Sequence, residues 1–136
     1  MPEDASLPFY SAHELMALGR RGQQAPPCSH CGALACAGWE SVPGGFDAAQ
    51  LRCLGTLRPA GDEDPTLLEY HPHGTHAWSA DAPIAPGWFP YNRCDVWACT
   101  TCERPYLRYT EYGGYYTDPR IRALHPDLVV TEESGG

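Results

Sequence analysis

Two Cys-x-x-Cys pairs, Cys28/Cys31 and Cys99/Cys102, constrain the fold of this chain more than any other feature. At this spacing both sulfurs of a pair can reach one metal ion, and two pairs supply the four thiolates of a tetrahedral zinc site. Gly32 follows the first pair directly, where the backbone of such a turn often needs a positive φ. The pattern therefore predicts one structural Zn²⁺ ion held by these four cysteines.

The other three of the seven cysteines leave alternatives open. Cys36 and Cys94 extend the two pairs into mirror-image clusters, so either of them could exchange into the metal site. Free cysteines are commonly small buried hydrophobes, and we expect this for Cys36, Cys53 and Cys94. A redox-active pair at Cys99/Cys102 is a further alternative, although such pairs belong to a βαβ framework and a hairpin is expected after Cys102.

With its two knuckles the chain resembles the zinc-ribbon proteins, in which each knuckle sits on a β-hairpin. The resemblance covers residues 27–32 and 97–116, about a fifth of the chain. It implies a structural metal and a β core. It implies little about activity, because zinc ribbons serve many functions.

Length and composition indicate one small globular domain over residues 1–136, with loose ends at 1–10 and 131–136. Glycine and proline together make up 28 of 136 residues, which disfavours a long helical bundle, and the hydrophobic content of 43% disfavours disorder. No apolar run is long enough for a membrane span, and the acidic start of the chain does not resemble a secretory signal. Together with the odd cysteine count, these features predict a cytoplasmic protein.

Local patterns predict an α+β, mostly β domain that surrounds a zinc-ribbon-like core. Ser11 and Glu14 form a capping box that opens a helix of two or three turns, limited by Gly19 and Gly22. A second short helix is expected to start at the dipeptide 118–119, with Asp at the N-cap and Pro at the first helical position. The prediction is thus of two short helices beside the sheet.

Strands are expected at residues 50–58, 66–71 and 95–99, with Leu51, Cys53 and Leu57 on one face of the first. A hairpin is expected over residues 106–117, with Gly113 and Gly114 as its two-residue turn. Residues 71–92 are rich in proline and large aromatic side chains and predict a long ordered loop. Loops of this length in compact domains usually bind or cover something.

Three histidines in the run 71–76 suggest a second metal site: His71, His73 and His76. The run resembles the His-x-His-x-Asp-His motif of metallo-β-lactamase-fold hydrolases, with Thr75 in place of the aspartate, and the chain is short for that fold. With Glu69 or Asp81 nearby, such a site would leave an open catalytic position. A metal-dependent hydrolase is therefore one alternative function, while a polar loop is the plainer interpretation.

The net charge of −8 favours basic protein partners and disfavours nucleic acid. A nucleic-acid-binding ribbon is a further alternative, using the tyrosine-rich C-terminal part with Arg104, Arg108, Arg120 and Arg122. The sequence offers no other catalytic motif, so a non-catalytic, zinc-binding interaction protein is the first prediction, by analogy with immunity or inhibitor proteins. Its candidate partner-binding residues are Trp88, Phe89, Tyr91, Asp62, Glu63 and Asp64.

Overall fold

A computed structural model describes residues 8–23, 38–42, 46, 48–58, 66–72, 74–76, 79–112, 115 and 117–130. Their secondary structure is one α-helix, five β-strands and three single turns of 3₁₀-helix. The predicted small, mostly β domain is therefore confirmed in outline. The predicted pair of short helices is not found, since one α-helix is present in the part of the chain described.

Helix α1 (Ala12–Gln23) begins at the predicted capping box. The Glu14 amide donates to Ser11 Oγ at 3.1 Å, and the Ser11 amide donates to Glu14 Oε1 at 2.8 Å. Two otherwise unpaired amides of the first turn are thereby satisfied.

No helix in the described ranges is long and apolar enough to cross a membrane.

The helix runs on through both glycines, which serve close packing rather than helix termination. A β-carbon at Gly22 would lie 2.2 Å from Pro105 Cδ, and one at Gly19 would lie 3.0 Å from Pro126 Cβ. Two prolines from other parts of the chain therefore pack directly against the helix backbone. The two glycines do mark special positions of the helix, but the reason is close packing with these prolines and not the end of the helix.

Replacing Gly22 with alanine is expected to lower the free energy of unfolding by about 1–3 kcal/mol, because the new methyl group overlaps Pro105. An exposed helical glycine would give the opposite sign, since alanine is the better helix former by about 1 kcal/mol. Gly87→Ala is the matched control, because no atom lies within 4 Å of its added β-carbon. Urea unfolding of both variants measures the difference, and a stabilised Gly22→Ala protein would contradict the packing.

The five strands are β1 (Glu40–Ser41), β2 (Leu51–Thr56), β3 (Asp95–Cys99), β4 (Pro105–Tyr112) and β5 (Thr117–Ala123). They form one antiparallel sheet in the order β1-β5-β4-β3-β2. Strand β3 has the predicted bounds, and β4 and β5 form the predicted hairpin. The hairpin register pairs Tyr112 with Thr117, which leaves four residues between the strands where a two-residue turn was predicted.

The second helix, predicted to start at Asp118 and Pro119, is wrong, because both residues lie in β5. Asp118 Oδ2 accepts from Ser41 Oγ at 2.9 Å and from Arg120 Nε at 3.0 Å, so its side chain bonds strand neighbours instead of a helix N-terminus. The Pro119 carbonyl accepts the Val42 amide at 2.9 Å. Pairing on both sides of β5 thus overrides the local helix signal.

The predicted strand at residues 66–71 is also absent, since the described segment Thr66–His71 pairs with no strand. Two hydrogen bonds from residues 89 and 92 hold this segment instead. The Phe89 amide donates to the Leu68 carbonyl and the Asn92 side-chain amide donates to the Thr66 carbonyl, each at 2.9 Å. These two hydrogen bonds, rather than pairing with a strand, therefore fix the segment.

Hydrophobic side chains pack on both faces of the sheet, in two clusters. The larger cluster joins α1 to alternate sheet residues such as Val96 and Leu107, and the smaller contains Leu51, Cys99, Tyr106 and Ile121. A bulge between Cys53 and Gly55 changes the phase of β2. Leu57 therefore packs in the larger cluster, and the prediction that Leu51 and Leu57 share one face is wrong.

Part of the predicted loose N-terminal end is attached to the sheet. The Thr56 amide donates to the Pro8 carbonyl at 2.9 Å, and the Tyr10 amide donates to the Thr56 carbonyl at 3.0 Å. Phe9 thereby forms a parallel bridge beside β2. The rest of that end, residues 1–7, and the predicted loose end 131–136 lie outside the described residues.

A completely buried arginine fastens the segment before β3 to the sheet. Arg122 is 0% exposed and donates from Nη2 to the carbonyls of Ala80 at 3.1 Å and Ala82 at 2.9 Å. Its Nη1 donates to the hydroxyl of buried Tyr91, which also accepts from Trp39 Nε1 at 3.2 Å. These hydrogen bonds hold the segment before β3 against β5, next to the larger cluster.

Candidate metal centre and arginine groove

The second Cys-x-x-Cys pair lies on the tight turn that joins β3 to β4. The Cys99 amide donates to the Arg104 carbonyl at 3.0 Å, and the Glu103 amide donates to the Cys99 carbonyl at 2.9 Å. Cys99 is buried and Cys102 is half-buried, and both are thiols rather than disulfides. The hairpin thus carries both sulfurs on one rigid turn.

Two details of this turn suit a metal-binding thiolate. The Thr101 amide donates to Cys99 Sγ at 3.4 Å, which fixes the position of that sulfur within the turn. Glu103 has a φ of 67°, an uncommon conformation for a residue with a side chain. It occupies the position after the second cysteine, where the first pair has Gly32. The backbone after the second cysteine pair therefore has a positive φ, as is expected after the first pair.

The described structure contains one half of the predicted metal site. Cys28 and Cys31, like Cys36, lie outside the described residues. Among the residues that are described, no group of three or more His, Cys, Asp or Glu side chains is placed to hold a metal ion. Zinc at Cys28, Cys31, Cys99 and Cys102 therefore stays a prediction.

Cys94 is separated from the pair by the length of β3. At a rise of about 3.3 Å per residue, five residues of strand span about 16 Å, far beyond the reach of two ligands to one ion. The Cys94 thiol donates to the Pro90 carbonyl at 3.3 Å inside the larger cluster. Burial, together with nearby Asp95, raises the pKa of Cys94 well above its usual value, so the thiol is neutral. Its prediction as a buried hydrophobe is confirmed.

Cys53 is half-buried on β2, and its thiol donates to the Gly55 carbonyl at 3.6 Å. Burial raises the pKa of Cys53, and Asp95 adds to the shift. A neutral thiol is a poor metal ligand and a poor nucleophile. Cys53 therefore serves below as a control for the metal-binding cysteines.

Of the predicted histidine loop, His71 is bonded within the loop itself. His71 Nε2 lies 2.7 Å from Glu69 Oε1, and His71 Nδ1 lies 2.7 Å from Thr75 Oγ1. Both ring nitrogens thus already have partners, which leaves no lone pair directed at a metal. His76 is exposed, and His73 lies outside the described residues. The arrangement offers little support for the histidine-loop hydrolase.

The predicted partner-binding residues are placed differently from one another. Trp88 and Phe89 are half-buried, with part of each ring at the surface, whereas Tyr91 is 4% exposed and bonded inside the core. A buried ring offers no surface to a partner, so we leave Tyr91 out of the binding face. Asp62, Glu63 and Asp64 lie outside the described residues.

The four C-terminal arginines do not form one surface. Arg122 is buried, and Arg120 is held by Asp118 at 3.0 Å and by the Tyr109 hydroxyl at 3.2 Å. Arg108 extends over Trp97 on the opposite face of the sheet from Arg122, because strand residues alternate between faces. The predicted arginine set for nucleic acid is thus divided: Arg122 lies in the core, Arg120 on the doubly paired strand β5, Arg108 at a groove, and half-buried Arg104 on the turn before β4.

A groove of about 590 Å³, the arginine groove, is lined by Arg108 from one face of the sheet and by Tyr109, which alternation places on the other face. Sequence analysis did not identify it, because its residues are distant in the chain and are brought together by strand register. Asp95 on β3, for instance, pairs with Arg108 on β4. Its charged residues are Arg58, Arg93, Arg108 and Asp95, and its aromatic residues are Phe89, Trp97 and Tyr109.

The groove has a surplus of positive charge in an acidic protein. Arg58 Nη2 lies 3.0 Å from Asp95 Oδ1, which leaves Arg93 and Arg108 as the unbalanced cations. In the described part of the chain, neither has a carboxylate within ion-pair distance. The Arg108 guanidinium lies 4.7 Å from the centre of the Trp97 ring, and that of Arg93 lies 5.6 Å from the Phe89 ring. Burial lowers the pKa of Arg108.

Comparison of the chain with protein-family models, with curated proteins and with solved structures finds no match. The zinc-ribbon resemblance therefore rests on the knuckle residues alone.

Proposed function

We propose that this chain is a non-catalytic interaction protein whose fold is stabilised by one structural Zn²⁺ ion held by Cys28, Cys31, Cys99 and Cys102. The observation that carries the proposal is the Thr101 amide bond to Cys99 Sγ within a turn closed at Glu103. Such a turn presents two sulfurs in a fixed orientation, so little ordering is needed when a metal binds. A bound Zn²⁺ would supply cross-linking of two chain segments rather than chemistry.

The proposed role of the protein is to bind a basic protein partner. A net charge of −8 steers such a partner toward the surface and favours complementary contacts. Besides Trp88, exposed apolar side chains could serve as anchors as well: Phe9 is 52% exposed and Leu68 is 68% exposed. Phe9 and Trp88 also line an apolar hollow of about 270 Å³. Exposed apolar clusters with a polar rim are typical of interaction sites.

Trp88→Ala is expected to weaken binding of the physiological partner at least about tenfold, the usual scale for a buried aromatic anchor. The partner is first identified by affinity capture from the source cells and then titrated as a purified protein by calorimetry. Tyr115→Ala is the matched control, because Tyr115 is an aromatic residue that is fully exposed on the β4–β5 connection. A purified partner that binds wild type and Trp88→Ala equally would contradict this surface.

A zinc-ribbon nucleic-acid-binding protein is not favoured by the described contacts. Arg122 is 0% exposed and cannot reach a phosphate group, and Arg120 already has two partners. Phosphate contacts supply most of the salt-dependent affinity of nucleic-acid-binding proteins. A steep fall in RNA or DNA affinity with rising salt would restore this alternative.

A further inference from the structure

We propose that the arginine groove binds a small ligand that combines a planar ring with a phosphate, the chemistry of a mononucleotide. The groove is distinct from the apolar hollow beside Phe9, so this function goes beyond partner binding. Its volume of about 590 Å³ lies within the range of small-molecule sites, roughly 300–1,000 Å³. A single nucleotide would fill such a space, whereas a polymer would extend beyond it.

The charge of the groove selects an anion. Three of the nine arginines of this acidic chain line it, against one aspartate. The ion pair between Arg58 and Asp95 offsets that aspartate and leaves Arg93 and Arg108 for the ligand. The groove has this local surplus of positive charge although the net charge of the chain is −8. We therefore infer a ligand that carries at least two negative charges. A phosphate monoester has that charge.

The arginines are held in orientations suited to phosphate. Arg108 lies over the Trp97 ring and Arg93 lies near the Phe89 ring. A guanidinium held over an aromatic ring has fewer side-chain conformations available, and its planar N–H groups can form bidentate hydrogen bonds with a phosphate. Less conformational entropy is then lost when a phosphate binds.

The remaining lining suits a planar ring. Phe89 and Tyr109 meet edge to face with their ring centres 6.1 Å apart. Trp39 also packs edge to face against Tyr109, with a distance of 4.8 Å between ring centres. Exposed Leu67 and Pro119 form apolar rims on the same groove. Aromatic side chains bind nucleobases by stacking, at about 1–3 kcal/mol per base in single-strand-binding proteins.

Calorimetric titration of the full chain with four mononucleotides, their nucleosides, inorganic phosphate and pyrophosphate tests the proposal. We expect at least one mononucleotide to bind about tenfold or more tightly than its nucleoside and than either inorganic anion. Equal binding of phosphate or pyrophosphate would reduce the groove to a general anion site and overturn the proposal. The absence of binding of any mononucleotide at millimolar concentration would overturn it as well.

Two variants separate binding from folding. Arg108→Gln and Arg93→Gln are each expected to weaken nucleotide binding at least about tenfold, because each loses a charge-assisted pair. Arg20→Gln on the exposed face of α1 removes the same charge away from the groove and is expected to leave affinity unchanged. Arg93 is exposed and contributes little packing, so its variant stays informative if Arg108→Gln fails to fold. Unchanged affinity in Arg93→Gln, or an equal loss in Arg20→Gln, would overturn the assignment.

Discussion

If Cys99 holds zinc as proposed, its replacement with serine is expected to abolish zinc binding and to unfold most of the domain. Structural zinc in small domains contributes about 10–16 kcal/mol of apparent binding energy. The total stability of a domain is typically about 5–15 kcal/mol, so losing the metal removes most or all of it. Cys99 also lies at 0% exposure in the smaller cluster, where a hydroxyl is less favourable than a thiol. Zinc content and far-ultraviolet circular dichroism measure the two effects.

Cys53→Ser is the control for the cysteine variant. It makes the same chemical change on the neighbouring strand β2, at a half-buried thiol outside the proposed ligand set. We expect it to keep its zinc and to lose about 1 kcal/mol or less, as ordinary substitutions do. A Cys99→Ser protein that keeps both metal and fold as well as Cys53→Ser would remove Cys99 from the proposed site.

Arg122→Met is expected to have the second largest effect, a loss of about 2–6 kcal/mol in the free energy of unfolding. The variant removes the arginine donor from the buried Ala82 carbonyl and from the buried Tyr91 hydroxyl, and losing each of these buried bonds costs about 1–3 kcal/mol. Methionine fills much of the same volume, so the loss reports on hydrogen bonds more than on a cavity. Urea or thermal unfolding measures it.

Arg52→Met provides the comparison for Arg122. Arg52 lies 3.8 Å from Glu103, and both side chains are more than half exposed. Exposed ion pairs contribute about 0–1 kcal/mol, so this variant should be close to wild type. Similar stability losses in the two variants would contradict the central role of the buried arginine network.

Several parts of the fold could be predicted because their signals are local. The capping box at Ser11 and Glu14 forms as predicted, since its hydrogen bonds involve residues three apart. Strand β3 and the β4–β5 hairpin follow from short patterns and a nearby turn. Such features depend little on the rest of the chain.

The errors arise where a distant strand decides the local structure. Asp118 and Pro119 have a helix-starting pattern, yet β4 on one side and β1 on the other hold them in a strand. The bulge in β2 moves Leu57 to the other face, and its signal in the sequence is Gly55, because a glycine inside a strand pattern suggests a bulge. By contrast, the arginine groove depends on the pairing of Asp95 with Arg108, which sequence spacing does not reveal.

Native mass spectrometry of the purified, reduced full chain tests the central claim most directly, because it counts metal ions on each intact molecule. The proposal predicts one Zn²⁺ per chain that survives dialysis and is lost in the Cys99→Ser variant, while Cys53→Ser retains it. A folded wild-type chain without zinc would contradict the claim, and so would a zinc ion that remains bound after Cys99 is replaced.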